Sequence, residues 1–322
     1  MTTRARFVSG VAAGTAALTF PAIVRAQNLK TLTAGFVPST LFAPLFVAAD
    51  RGYLREAGFN INLNPVVAGQ DSMALVSQGQ LDIAAAGLSA AFFNAVNRGL
   101  EVKFVASTGY QPRRGHPTAL MIRQDLYDAG QHDASGLRGK QIGWIGGAGA
   151  TSQYYVAVIL RKFNLTLKDV TGVNIANTDQ EVALTRKAVD AMFTSSPFTD
   201  IFQEKKLARI IGTVPPGIAG TGIFFGPSLL RNPDSARAVM TALRRAATDI
   251  AGSGYSSPDN LASYSKYTKQ SIDLIKSADR YDFKPDLRID QGTLQDMQTV
   301  FIDQGILTYK PPINEVRLVA RF

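Results

Sequence analysis

The chain contains no cysteine and only two histidines, His116 and His132, in 322 residues. Disulfides, cysteine-ligated zinc, iron–sulfur clusters and thiol nucleophiles are excluded together, and a histidine-rich metal centre lacks its ligands. Charge is sparse as well. Charged residues make up 18% against 46% hydrophobic, a balance that can bury a core and does not describe a disordered chain. The net charge of +9 comes from 34 Lys and Arg over 25 Asp and Glu, yet the longest basic runs are pairs, among them Arg113-Arg114, Lys205-Lys206 and Arg244-Arg245. A nucleic-acid surface needs a clustered basic patch, so no nucleic-acid partner is expected. No carboxylate pair stands out for acid–base work, and no metal or cofactor is expected.

Residues 1–26 carry Arg4, Arg6 and Arg25 without an acid. A basic start, the small apolar run from Phe7 to Leu18, and then Val24-Arg25-Ala26 fit a signal peptide cut after Ala26. The apolar run falls short of the ~20 residues that span a bilayer. The expected mature protein is therefore exported and soluble, with a periplasm as its location. Arg4-Ala5-Arg6-Phe7 is an interrupted twin-arginine pattern, so general secretion is the expected route.

Beyond the signal, short apolar runs alternate with helical periodicity, the pattern of βαβ units. Strands are expected at Leu32–Val37, Ile61–Val67, Leu81–Ala86 and Val102–Ser107, then at Ala119–Arg123, Gln141–Ile145, Val170–Ala176, Ala191–Thr194, Ala208–Ile211 and Ile223–Phe225. Helices are expected at Pro44–Ala57, Asp71–Ser77, Ala90–Asn97, Ser152–Phe163, Gln180–Lys187, Thr199–Lys206, Pro233–Ile250, Pro258–Tyr267 and Gln291–Gln304, with a final turn over Glu315–Phe322. Two breaker-rich stretches, Gly109–Pro117 and Val214–Gly222, interrupt the series. The halves echo one another: Ala74-Leu75-Val76-Ser77-Gln78-Gly79-Gln80-Leu81-Asp82 resembles Ala183-Leu184-Thr185-Arg186-Lys187-Ala188-Val189-Asp190. Each reads as a helix end, a tight turn and an Asp opening a buried strand, with Asp82 and Asp190 structural. Two α/β lobes joined by two hinge crossings follow: 27–110 with 222–322, and 111–221.

Several segments in order resemble one family. Ala49-Asp50-Arg51-Gly52-Tyr53-Leu54-Arg55-Glu56-Ala57-Gly58-Phe59, Gly79-Gln80-Leu81-Asp82-Ile83, Leu137-Arg138-Gly139-Lys140-Gln141-Ile142, Leu165-Thr166-Leu167-Lys168-Asp169-Val170 and Val189-Asp190-Ala191 are similar to the signature segments of substrate-binding proteins of ABC importers. The branch is the nitrate/sulfonate/taurine type, which includes binders of thiamine pyrimidine precursors. The resemblance covers residues 30–230. It implies a type II periplasmic-binding fold, a ligand between two lobes, a membrane permease and an ATPase as partners, and no enzymatic activity. A monomer is expected. The related pyrimidine-synthase branch relies on a Cys-rich segment that this chain lacks. A periplasmic protein that presents ligand to a sensor remains the alternative.

Open α/β sheets place ligands at the carboxyl ends of their strands. Candidate binding residues are therefore those that follow strands: Ser39, Thr40 and Phe42; Gln70 and Asp71; Leu88 and Ser89; Gly149, Thr151 and Ser152; Ser195 and Phe198. Gly147-Ala148-Gly149-Ala150-Thr151-Ser152 is the leading segment. Glycines that free backbone N–H groups, two hydroxyls and a helix start all favour an anion; simple N-capping is the bland alternative. The expected ligand is a small sulfonate- or carboxylate-like anion, or a small aromatic or pyrimidine compound.

Overall fold

A computed structural model describes residues 29–66 and 69–322. The export-signal expectation, and Val67 at the end of one expected strand, lie outside the described residues. Among the described residues ten strands form: β1 (Lys30–Phe36), β2 (Phe59–Pro65), β3 (Ile83–Gly87), β4 (Lys103–Thr108), β5 (Thr118–Arg123), β6 (Gln141–Trp144), β7 (Thr171–Asn174), β8 (Ala191–Ser195), β9 (Ala208–Thr213) and β10 (Thr221–Phe225). They build two five-stranded sheets, β2-β1-β3-β10-β4 and β7-β6-β8-β5-β9. In each sheet four strands share one direction, while β10 runs antiparallel to β3 and β4 and β5 runs antiparallel to β8 and β9. Each antiparallel strand is the first that the chain forms after crossing from the other lobe. Two α/β lobes result. The second breaker stretch stops at Gly220, because Thr221 and Gly222 already belong to β10.

The internal echo has a physical basis. The Asp82 carboxylate accepts the Thr33 N–H midway along β1 (2.8 Å), and the Asp190 carboxylate accepts the Gln141 N–H at the head of β6 (2.9 Å). The return bonds, Asp82 N–H to the Thr33 carbonyl (2.8 Å) and Asp190 N–H to the Gln141 carbonyl (2.9 Å), complete the same clamp in both lobes. The carboxylate–amide bond is charge-assisted, so its removal leaves a backbone donor unpaired. Asp82→Ala is expected to lower stability by about 1.5–3 kcal/mol, read as a shifted midpoint in urea unfolding.

Helix Pro44–Ala57 was expected as one element, but it divides into Ala43–Asp50 and Tyr53–Glu56. Gly52 takes φ +75 between them, which ends the first helix. Asp50, the last residue of the first piece, accepts hydrogen bonds from Ser263, Lys266 and Tyr267 of helix Pro258–Thr268. Burial alone would raise the Asp50 carboxyl, but these donors outweigh it and hold it below the usual range. A depressed carboxyl contributes stability that is full above the unfolded value of about 4 and lost as pH falls through the lower folded value. Asp50→Asn is expected to flatten the acid limb of the stability profile, read by thermal melts between neutral and acid pH.

The chain after β10 joins the lobes. Helix Pro233–Asp249 packs on the first lobe, whereas helix Gln291–Asp303 touches both Ala90–Asn97 and Thr151–Arg161. The Asp296 carboxylate accepts a hydrogen bond from the Tyr154 hydroxyl (2.9 Å) and pairs with Arg161 (3.1 Å), tying that helix to the second lobe. One buried apolar cluster is consequently continuous from Phe92 and Phe224 through Phe301 to Tyr154 and Leu160. The expected turn over Glu315–Phe322 shortens to Glu315–Leu318, and Val319 then pairs with Phe104 at the sheet edge.

Candidate functional site

The two crossings run side by side, with Gln111 N–H donating to the Ile218 carbonyl and Gly217 N–H to that of Gln111, both at 2.9 Å. A third segment lies along them. Tyr110 and Asp282 exchange backbone hydrogen bonds (2.9 Å each), and the Asp290 carboxylate accepts the Ala219 N–H (2.9 Å). This strap delivers Tyr281 to the space between the lobes.

That space is a cleft of about 160 Å³. The first lobe contributes Ser39, Phe42, Gly69, Gln70, Gly87 and Ser89; the second contributes Ile145, Gly146, Ala150, Thr151, Ser152, Tyr155, Phe193 and Ser195. Thr118, Thr221 and Tyr281 close its back. An apolar cavity of about this size admits a benzene ring, so the space suits a ligand of one ring or a short chain. Among the described lining residues none carries a formal charge at neutral pH. The only titratable side chains are the phenols of Tyr155 and Tyr281, and burial pushes both up, Tyr281 to about 12. They therefore remain neutral donors. The Tyr155 hydroxyl accepts the Gly220 N–H (2.7 Å) and keeps its proton to give.

Ser89 is the exceptional lining residue. It stands at the N-cap of helix Ala90–Asn97 with extended backbone (φ −151, ψ 164), yet its side chain makes no cap bond. It is 3% exposed, and its Oγ has no hydrogen-bond partner. A buried hydroxyl normally finds a partner. One that lacks it while lining a cleft has a donor and an acceptor to offer a ligand.

Seven of the twelve sequence candidates line this cleft: Ser39, Phe42, Gln70, Ser89, Thr151, Ser152 and Ser195. The other five do not. Thr40 lies outside the lining, Asp71 is exposed to solvent, and Phe198 packs against Phe202 with ring centroids 5.8 Å apart. Leu88 is fully buried and contributes only backbone, its N–H going to the Gly220 carbonyl (2.8 Å). Gly149 gives its N–H to Gln153 Oε1 (2.7 Å) and its carbonyl to Ala90 N–H (2.9 Å).

The role expected of the leading segment needs correction. Thr151 Oγ1 donates its proton to the Leu88 carbonyl across the lobes (2.6 Å), and Ser152 Oγ donates to the Ile145 carbonyl. Neither hydroxyl has a proton left for a ligand. Of the segment's glycine amides, that of Gly149 is committed to Gln153 Oε1, and the Gly146 amide just before the segment goes to Asn174 Oδ1 (3.0 Å). The segment retains the first-turn N–H groups of Thr151 and Ser152. No side chain caps them, and no partner for them occurs among the described residues. Trp144 and Tyr154 stay out of the cleft lining. Trp144 Nε1 donates to the Gly147 carbonyl (3.0 Å), and Tyr154 is core.

The lobes meet over the cleft. Gln70 Nε2 reaches the Gly146 carbonyl (2.8 Å), joining the Thr151–Leu88 and Ala90–Gly149 bonds. Among the described residues no helix is long and apolar enough to cross a membrane, and no group of three or more His, Asp or Glu is placed to hold a metal.

The chain matches the model of a family described as NMT1/THI5 like over residues 39–253. Its fold is similar to that of the alkanesulfonate-binding protein SsuA from Xanthomonas axonopodis pv. citri bound to MOPS. There the TM-score is 0.71 at 15% identity, covering 92% of this chain and 100% of that one. The periplasmic aliphatic sulphonate binding protein SsuA from Escherichia coli matches with TM-score 0.69 and 15% identity, covering 90% and 97%. The periplasmic nitrate-binding protein NrtA from Synechocystis PCC 6803 matches with TM-score 0.66 and 13% identity, covering 88% and 83%. No curated protein sequence matches the chain. These likenesses establish the periplasmic-binding-protein fold.

Proposed function

The chain belongs to the NMT1/THI5-like family, and from that premise we propose that it is the ligand-binding component of an ABC-type importer, exported to the periplasm. Its ligand is a small organic anion with an apolar body, held between the lobes, and it performs no chemistry on that ligand. The observation that carries this reading is the unpartnered, buried Ser89 hydroxyl. It lines the same cleft as the uncapped start of helix Thr151–Arg161. An uncapped helix N-terminus presents about half a positive charge and free N–H donors. Phe42, Phe193 and Tyr155 supply walls for the apolar part. The proposed lobes are 27–110 with 222–322, and 111–221. A ligand that touches both favours the closed arrangement by its differential affinity, and a permease and ATPase would take delivery from that state.

A thermal-shift screen over small sulfonates, carboxylates and heterocycles tests the reading, because a ligand that binds only the folded state raises the melting temperature. The best hit is then expected to lower the radius of gyration in solution scattering without a change of mass. A tight ligand that leaves the scattering profile unchanged counts against closure; a screen with no hit counts against the cleft as a ligand site.

A further inference from the structure

We propose that helix Gln291–Asp303 limits how far the lobes part, and that Asp296, acting through Tyr154, is the positioning residue that sets the limit. The inference concerns the motion of the lobes and rests on the binding reading above only in the ligand arm of its test.

The topology says where opening occurs. The crossings run between β4 and β5 and between β9 and β10, while β2 and β7 form the far edges of their sheets. Those edges are the ends that swing apart in a hinge motion. Helix Gln291–Asp303 bridges the lobes, touching Ala90–Asn97 of the first and Thr151–Arg161 of the second. Wide opening must slide it off one of them.

Its hold on the first lobe is pinned at several points. Phe301 and Phe93 are both fully buried, with ring centroids 6.4 Å apart. Gln298, also fully buried, donates Nε2 to the Ile313 carbonyl (3.2 Å) and accepts the Ile313 N–H (2.8 Å). Beyond Ile313, Lys103 Nζ donates to the Arg317 carbonyl (2.6 Å), and Arg317 donates to that of Val96 (3.0 Å).

The hold on the second lobe is thinner. A groove of about 360 Å³ follows that seam, with Ala157, Arg161 and Leu165 on one bank and Val300, Asp303 and Gln304 on the other. Surfaces that stand apart forfeit dispersion contacts. The Tyr154–Asp296 hydrogen bond spans the same seam. Burial pushes the Tyr154 phenol up, so it remains the donor. Arg161 also reaches Asp296, but its side chain is 57% exposed, and an exposed ion pair contributes little. The Tyr154 bond is therefore the contact whose loss frees the helix. Just past the helix, Ile306 meets the place where the lobes touch. A Cβ at Gly149 would lie 2.5 Å from Ala90 Cβ and 3.1 Å from Ile306 Cγ2. Letting the helix go loosens that junction as well.

The chain has no cysteine, so spin labels attach only where cysteines are introduced. Asn64→Cys and Thr178→Cys put labels at exposed positions, one near the end of β2 and one just past β7. Pulsed EPR of the ligand-free protein is expected to give a short, narrow distance distribution in this parent. Asp296→Ala and Tyr154→Phe should each give a longer, broader one. Tyr154→Phe keeps the buried ring and carries the test where Asp296→Ala disturbs folding. Asp296→Asn retains an acceptor for Tyr154 and should restore the parent distribution. The double variant should be no wider than either single, because both cut one bond. A purely structural role would lower the melting temperature and leave the label distances where they were. Benzenesulfonate is expected to shorten the distance in all of them, at severalfold higher concentration in the two loosened variants, whose closed fraction is smaller. Distributions in both variants that match the parent overturn the proposal, whatever benzenesulfonate does. Widened variants with no response to benzenesulfonate, in the parent as well, uphold the brace and count against the binding reading.

Discussion

Gly87→Ala is expected to weaken ligand binding about ten- to hundredfold while leaving each lobe folded. A Cβ at Gly87 meets nothing within its own lobe. It would collide with Thr151 Oγ1 and lie 3.2 Å from Thr151 Cβ, both on the opposite lobe, with the Gly220 carbonyl 3.9 Å away. Gly87 does not use a left-handed backbone conformation, so alanine fits wherever the lobes are apart. The clash exists only when they are together. Overpacking of this kind costs about 1–3 kcal/mol, and each 1.4 kcal/mol is about a decade of affinity. The cost falls on the closed state alone, so it appears as lost affinity rather than lost stability. Calorimetry with the strongest ligand from the screen, beside urea unfolding, reads the two quantities separately. Gly87→Ala combined with Thr151→Ala removes the colliding hydroxyl and should recover part of the affinity, a coupling that a double-mutant cycle measures. Unchanged affinity in the single variant, or an unfolding midpoint that drops without rescue, would show that Gly87 serves its own lobe and not closure.

The ten strands were legible because both sheets are covered by helices, and strands buried on both faces read as continuous apolar runs such as Ile83-Ala84-Ala85-Ala86 and Ala119-Leu120-Met121-Ile122. Carboxylates at matching places after a helix and a turn announced Asp82 and Asp190, and the separation from the amide each holds is the same 49 residues in both lobes. The site was legible in location and not in role. Strand-to-helix spacing says where a helix begins; it does not say which carbonyl will stand opposite Thr151 once a second lobe folds against it. Tyr281 left no local signal, since it enters the cleft on a strap held by long-range pairing with Tyr110. Phe193 was hidden for another reason: a cleft wall and a core face carry the same periodicity. Helix Gln291–Asp303 was expected as an element, but its role as a brace between lobes rests on the Asp296 contacts, which periodicity does not encode.

Ser89→Asp is expected to remove anion binding at neutral pH while the free protein stays folded. Ser89 already has N-cap backbone geometry without a cap bond, and Asp is among the preferred residues at that position. A carboxylate there also faces the positive end of helix Ala90–Asn97, an arrangement worth about 0.3–1 kcal/mol. Capping and the helix charge therefore favour the variant while burial of its carboxylate works against them, so the free protein keeps a cooperative melt. Binding falls instead. A carboxylate about 4 Å from an anionic head repels it by about 4 kcal/mol at an effective dielectric of 20, nearly three decades of affinity, beyond the loss of the hydroxyl donor. Burial pushes a carboxyl at this 3% exposed position toward its neutral form. Protonated, it becomes a donor again, so binding should return as pH falls through the raised value of the new group. Ser89→Asn supplies the control, with nearly the same shape and no charge. If the Asn variant loses as much affinity as the Asp variant, and neither recovers in acid, steric filling explains the loss and Ser89 does not face a negative charge. If Asn binds within about tenfold of wild type while Asp binds only in acid, the charge of the ligand head is read directly from a residue that the fold does not otherwise need.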